Sequence, residues 1–343
     1  MIGHRITAAV LLAVALLVGG CASPSPPGPA ALGPPRPGVR PAASPADSPP
    51  LTVPPAGTVI PVGAGAEGVA VDPATHTVAV GAHDPDQLVL VDARTGQVRG
   101  RTTLPGHLRH LQNGPPGTLL VPDEDSNQLL TVALPAGAIT SSLVTGISPH
   151  YVVTAPDGTL FVANEAGHSV AVVRGGRVVA SLPDAVMPGG MALGGGRLGL
   201  VDVASDTLTL YDTSTLARLT TVALGDGPTH EVADDHGHLI AADTRGDALL
   251  VVSPQLPPLL QARLPLAGSP YGLAVDTPRD RLWVTLTGRN QLVGFDTRTD
   301  PPREIARYAT VRQPNTVAVD PTNGTLYVTG ATDGVLESVP GPP

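Results

Sequence analysis

The chain contains no lysine: all twenty basic residues are arginine. We read this as GC-rich coding rather than as the property of a site. Cysteine is almost absent as well, with Cys21 the single one in 343 residues. An internal disulfide is thereby excluded, and so is a metal site built on thiolates. Aromatic residues make up 2% of the chain. The core must therefore be built from Val, Leu, Ala and Ile, and a sugar-stacking surface has little to stack with. Positive charge is in deficit, with a formal net charge of −9 and no basic stripe. That excludes nucleic acid as a partner. No His-Glu-x-x-His, no Gly-x-Ser-x-Gly elbow and no P-loop occurs, so the common zinc-protease, hydrolase and nucleotide signatures are missing. Asp123-Glu124-Asp125-Ser126-Asn127 opens like a Ca²⁺ loop. Gln128 then stands where the turn glycine belongs and Leu134 where the closing glutamate belongs, which excludes an EF-hand.

What is present is repetition. A unit of about 40 residues recurs from Gly57 to the C-terminus. The residue before the first apolar run of each unit is Ala66, Leu108, Pro149, Pro188, Pro228, Pro270 and Pro314. First runs such as Gly272-Leu273-Ala274-Val275 lead through tight turns to second runs such as Leu282-Trp283-Val284. Third runs often end in Asp, as in Leu208-Thr209-Leu210-Tyr211-Asp212. Asp72-Pro73 and Pro156-Asp157-Gly158 supply turn chemistry between the first two runs. Four short strands per period in tandem predict an all-β fold, a seven-bladed β-propeller of four-stranded antiparallel blades. The last unit stops after its third strand, Val335 to Val339, while Thr58-Val59-Ile60-Pro61-Val62 precedes the first complete unit. The N-terminal strand is expected to complete the last blade and close the ring, which removes exposed sheet edges.

The Asp-Pro turns, Leu-Phe-Val-Ala-Asn at 160–164 and Leu-Tyr-Val-Thr-Gly at 326–330 resemble YVTN-type repeats. The resemblance covers about 57–340. It implies a seven-bladed propeller of extracytoplasmic or surface type, with lactonases and a streptogramin-inactivating lyase among distant relatives. It does not by itself imply a function, because the repeat motif is structural.

The front of the chain has a short basic start, an apolar stretch from Ile6 to Val18, and Leu17-Val18-Gly19-Gly20-Cys21. This resembles a bacterial lipoprotein signal over 1–20, with Cys21 as the lipidated residue. The apolar stretch is short for a spanning helix. Residues 21–56 are dominated by Pro, Ala, Ser and Gly and read as an extended, disordered tether reaching on the order of 100 Å. The propeller then occupies 57–340 and a short tail 341–343. The expected protein is a monomer, lipid-anchored on the extracytoplasmic face of the cell membrane.

Propeller topology sorts the histidines. His76, His236 and His238 fall in turns between first and second strands, at one end of the central channel. His83, His107, His110, His150, His168 and His230 map to the other end. His110, His150 and His230 sit nearest the channel. Asp123, Asn164, Asp202 and Asp243 recur at one corner of blades two to five, aligned with Ala82, Leu286 and Thr329 elsewhere. They read equally as caps on backbone amides or as ligand groups on the channel face. Glu231 stands where other units carry Val69, Leu111, Val152, Met191, Leu273 and Val317. An unpaired carboxylate there is costly, so Glu231 is either ion-paired with an arginine or else an acid of raised pKa or a metal ligand.

Two functional readings follow. In the first, the propeller is a binding or scaffold module for a protein or small ligand at the cell envelope. In the second, it is a divalent-metal-dependent hydrolase or lyase, with His110, His150, His230, Asp202 and Asp243 as candidate metal ligands, together with Asp123. His230 or Glu231 would then be the base. Imidazoles and carboxylates without thiolates suit Zn²⁺, Mn²⁺ or a similar ion.

Overall fold

A computed structural model describes residue 1, residues 28–183 and residues 185–342. The signal-like stretch and Cys21 lie outside the described residues. Seven antiparallel sheets, each built on a four-stranded blade, stand around a central channel. Among the described residues the only helices are two short 3₁₀ turns, and none is long and apolar enough to cross a membrane. In blade five, for example, the inner strand Pro228–Ala233 pairs with Leu239–Asp243, then Ala248–Ser253, then the outer strand Leu259–Pro265.

Closure follows the sequence expectation. Thr58–Pro61 pairs antiparallel with Val335–Val339, in register Thr58 opposite Ser338 and Pro61 opposite Val335. It forms the outer strand of blade seven. A buried carboxylate reinforces this seam. Gly57 N–H donates to Glu337 Oε1 at 2.7 Å and Val311 N–H donates to Oε2 at 3.0 Å.

The core lies between blades, where alternate side chains of neighbouring sheets interdigitate. Val69, Val71, Val78, Val80 and Val89 of blade one meet Ile60 and Tyr327 of blade seven. The rare aromatics take the bulkiest interior places: Trp283, Tyr327 and Phe161 are fully buried. Gly294 lies under the Trp283 ring, where an added β-carbon would come within 2.5 Å of it.

Each inner strand except that of blade two begins with a register break. The breaks fall between Glu67 and Val69, Pro149 and Tyr151, Pro188 and Met191, Pro228 and Glu231, Pro270 and Leu273, and Pro314 and Val317. Such bulges leave residues outside the ladder and re-aim their side chains. His150, Thr229, His230 and Tyr271 all fall in them.

The segment expected to be a free tether is instead laid against the ring from residue 28. Ala30 and Ala31 add a short strand to blade five, opposite Leu260 and Leu259. Arg40 reaches Asp206 at 3.1 Å and Asp226 at 2.7 Å. Residues 42–45 cross the channel mouth. Ser48 donates its hydroxyl to Thr287 O at 2.6 Å, and its Oγ accepts from Gln313 N–H at 2.8 Å. The physical reason is backbone pairing: small Ala, Pro and Ser side chains let main-chain groups lie close enough to bond the loops beneath.

Candidate functional site

The residue after each unit's opening position forms a ring at the channel mouth. Glu67, Arg109, His150, Thr229 and Tyr271 occupy it in blades one, two, three, five and six, and the first four blades are completed by Gly189. They line a cavity of about 380 Å³, with His107, Glu165 and His230 beside them and residues 42–45 above. One step deeper lie His110, Tyr151 and His230. Below them the channel continues as a second space of about 410 Å³, walled largely by Val, Ala and Leu.

His110, His150 and His230 come together. The His110 ring stands edge-on to His150 at 4.6 Å and to His230 at 4.9 Å between centroids. The Nε2 atoms of His110 and His230 are 3.2 Å apart, so one must carry the proton that the other accepts. Burial and the neighbouring His150 push both imidazoles down in pKa, His230 to about 3 and His110 well below its ordinary value. Both rings are neutral at physiological pH. His230 also meets the Tyr271 ring edge-on at 4.4 Å.

Above them sits an acidic group that sequence reasoning did not select. His150 Nδ1 is 2.8 Å from Glu124 Oε1 and 3.8 Å from Glu165 Oε2. Arg109 Nε lies 3.6 Å from Glu124. Burial opposes the Arg109 charge, but Glu124, Glu165 and Glu67 more than offset it and raise its pKa. Burial likewise works against Glu124, and the His150 hydrogen bond with the Arg109 charge brings it below the usual carboxylate value. Glu124, His150 and Glu165 each offer a ligating atom within 4.8 Å of the others.

The four corner residues are not part of this cluster, and Asp202 and Asp243 are not among its ligating groups. They fasten turns. Asp123 accepts from Gly106 N–H and Ser126 N–H. Asn164 donates to Thr145 O. Asp202 accepts from Met187, Ala204 and Ser205 amides, and Asp243 from Asp226 N–H. Pro314 pairs with Gly330 as Pro149 pairs with Asn164, so the seventh member of this set is Gly330 rather than Thr329.

Glu231 also departs from expectation. Consecutive strand residues point to opposite faces, so it turns away from His230 towards blade four. It finds no arginine. Neither oxygen makes a well-formed hydrogen bond, and burial, opposed by the nearby Ala192 amide, holds the carboxyl well above its ordinary pKa. Its room comes from Gly199, which replaces the larger Leu120, Phe161 or Ile240 of other blades. Among the described residues Glu231 makes no hydrogen bond or ion pair to the acidic cluster.

A sequence signal for the missed residues did exist. The position after the corner residue reads His83, Glu124 and Glu165 in blades one to three, then Val203, Thr244, Thr287 and Ala331. Titratable groups are thus confined to one arc of the ring.

No family model and no curated sequence matches the chain. Solved structures do match in shape. A Kuenenia stuttgartiensis hydrazine synthase structure superposes with a TM-score of 0.69 at 16% identity, covering 85% of this chain and 97% of that one. A virginiamycin B lyase from Staphylococcus aureus gives 0.68 at 14% identity, covering 82% and 98%. A streptogramin B lyase gives 0.68 at 13%, covering 84% and 94%. These likenesses establish the seven-bladed propeller fold.

Proposed function

We propose that the protein is a binding propeller whose ligand is a small, positively charged molecule held at the channel mouth. The observation that carries this reading is the polar cavity lined by Glu67, Glu165 and Arg109, with Glu124 behind its wall 3.6 Å from the Arg109 guanidinium. Three carboxylates against one cation favour a cationic ligand. A space of about 380 Å³ suits a small molecule, and the cover formed by residues 42–45 leaves little room for a protein loop. The YVTN-type resemblance and the lipoprotein-like start support an extracytoplasmic, membrane-anchored protein, with Cys21 as the lipidated residue.

The test is thermal stabilisation of the full chain by a panel of small amines and guanidines, matched anions and neutral analogues. Cations should raise the melting temperature in proportion to ln(1 + [L]/Kd), and Glu165→Gln should weaken the effect. Stabilisation by anions instead, or by none of the panel, would overturn the reading.

A metal-dependent hydrolase or lyase is the second reading. It is favoured by the Glu124–His150–Glu165 donor set and accords with the lyases among the structural neighbours. Against it, Arg109 already supplies positive charge to Glu124. Loss of a bound metal and of lactone or lyase turnover together in His150→Gln would make it the better account.

A further inference from the structure

We propose that Glu67, His83 and His107 form a divalent transition-metal site on the rim of the channel mouth, with Asp86 orienting the imidazole ligand. The three residues come from separate pieces of chain. Glu67 opens the inner strand of blade one, His83 follows its second strand Thr77–Ala82, and His107 lies in the connection to blade two. Each offers a ligating atom within 4.8 Å of the other two. A cation about 2.0–2.2 Å from each donor needs them roughly 3–3.5 Å apart. His83 and His107 are stacked with centroids 3.9 Å apart, so the more exposed His107 ring has to turn off the stack to bring its lone pair onto the ion.

The orientation of His83 is the decisive feature. Its Nδ1 lies 3.0 Å from Asp86 Oδ1, and the same oxygen lies 3.8 Å from His107 Nδ1. A carboxylate on Nδ1 fixes the tautomer that leaves Nε2 with its lone pair, the usual outer arrangement around a metal-bound histidine. His83 Nε2 is buried and has no hydrogen-bond partner. A buried polar atom left unmatched is costly, and a cation would satisfy it. The ring cannot swing away easily. Gly65, at φ +59, packs so closely that an added β-carbon would lie 3.0 Å from it.

The neighbouring Glu124–His150–Glu165 group differs on this point. There the imidazole Nδ1 is bonded to Glu124 and a guanidinium lies beside that carboxylate, so Glu124 already has partners. Two imidazoles and one carboxylate suit Zn²⁺, Co²⁺, Ni²⁺ or Cu²⁺ better than Ca²⁺ or Mg²⁺. Three protein ligands leave a coordination position open. Glu67 and His107 also line the mouth cavity, so that position faces the space where a small molecule enters. The site does not depend on the small-ligand reading above.

The experiment is titration of the chelator-stripped full chain with Co²⁺, followed by its ligand-field absorption and by Zn²⁺ competition. One saturable equivalent per chain is expected. His83→Gln and His107→Gln should each abolish it. Asp86→Asn should weaken it about 10- to 100-fold, and His150→Gln should leave it in place. Metal-free melts of every variant establish that the fold survives. Absence of a saturable equivalent in the wild type would overturn the proposal. So would wild-type binding by folded His83→Gln and His107→Gln, or loss in His150→Gln with retention in His83→Gln.

Discussion

Gly199 and Glu231 are complementary across the boundary between blades four and five: a β-carbon on Gly199 would lie 2.6 Å from Glu231 Oε2. The large residue that other blades carry in the second strand is missing where the carboxyl of the next blade needs space. Gly199→Val is therefore expected to destabilise the fold by about 1–3 kcal/mol through overpacking. Adding Glu231→Val should recover most of that loss. Denaturant midpoints of the two single variants and the double variant decide it, and simple additivity would argue against the pairing.

The same carboxyl predicts a pH dependence. Its folded pKa lies well above the ordinary 4.5, so the native state holds more protons than the unfolded chain once pH exceeds 4.5. Stability is full below that value and falls as pH rises through the folded pKa. Glu231→Gln should flatten this part of the profile. A profile that keeps its slope would mean that the carboxyl is solvated.

His110 and His230 act in the opposite sense. Their folded pKa values are depressed, His230 to about 3, so the unfolded chain binds more protons below pH 6.5. Stability should decline as pH falls from 6.5 towards 3. His230→Gln should reduce that decline. Between pH 4.5 and 6.5 the slopes oppose one another, two histidines against one carboxyl, so the wild type should still lose stability as pH falls, His230→Gln should be nearly level and Glu231→Gln should be steeper. Equilibrium unfolding at pH 4, 5.5, 7 and 8 tests both.

Ring closure should be all-or-none. Deleting residues 57–62 is expected to lower the melting temperature of the whole domain in a single transition. Glu337→Ala, which orphans the Gly57 and Val311 amides, should cost about 1–3 kcal/mol. A melting temperature unchanged by the deletion would show that Thr58–Pro61 does not hold the ring.

The cover over the mouth should loosen without the blades. Arg40→Ala removes the ion pairs to Asp206 and Asp226. Hydrogen exchange should then accelerate at the Arg40, Ala46 and Ser48 amides, which bond Ala204 O, Ser269 Oγ and Gln313 Oε1, while strand amides keep their protection. Equal acceleration in the strands would mean that the segment is part of the cooperative core.

The fold was legible because propeller repeats are local: alternation, turn residues and period are all visible along the chain. Ring closure was legible for a simpler reason, since one strand was missing at one end and spare at the other. The site was half legible. His110, His150 and His230 stood out as rare residues at one strand position. Glu124 and Glu165 did not, because each directly follows a turn-capping Asp or Asn in a polar loop where acids are ordinary. The capping residues and the acids are neighbours in sequence, and only the bulged backbone determines which reaches the mouth. The course of residues 28–56 was illegible because low-complexity composition carries no periodic signal, although Arg40 and Ser48 make specific bonds.

The strand that closes the ring is among the first parts of the domain to be synthesised, and its partner Val335–Val339 is among the last. Thr58 must find Ser338 across almost the whole domain, a separation that makes closure entropically demanding and slow. Until the final residues emerge, blade seven lacks its hairpin and the outer strand waits unpaired. Assembly of the ring therefore ends at its own first strand. The arc carrying Glu67, His83 and His107 abuts that seam, so it reaches its final form only when the last residues have been added.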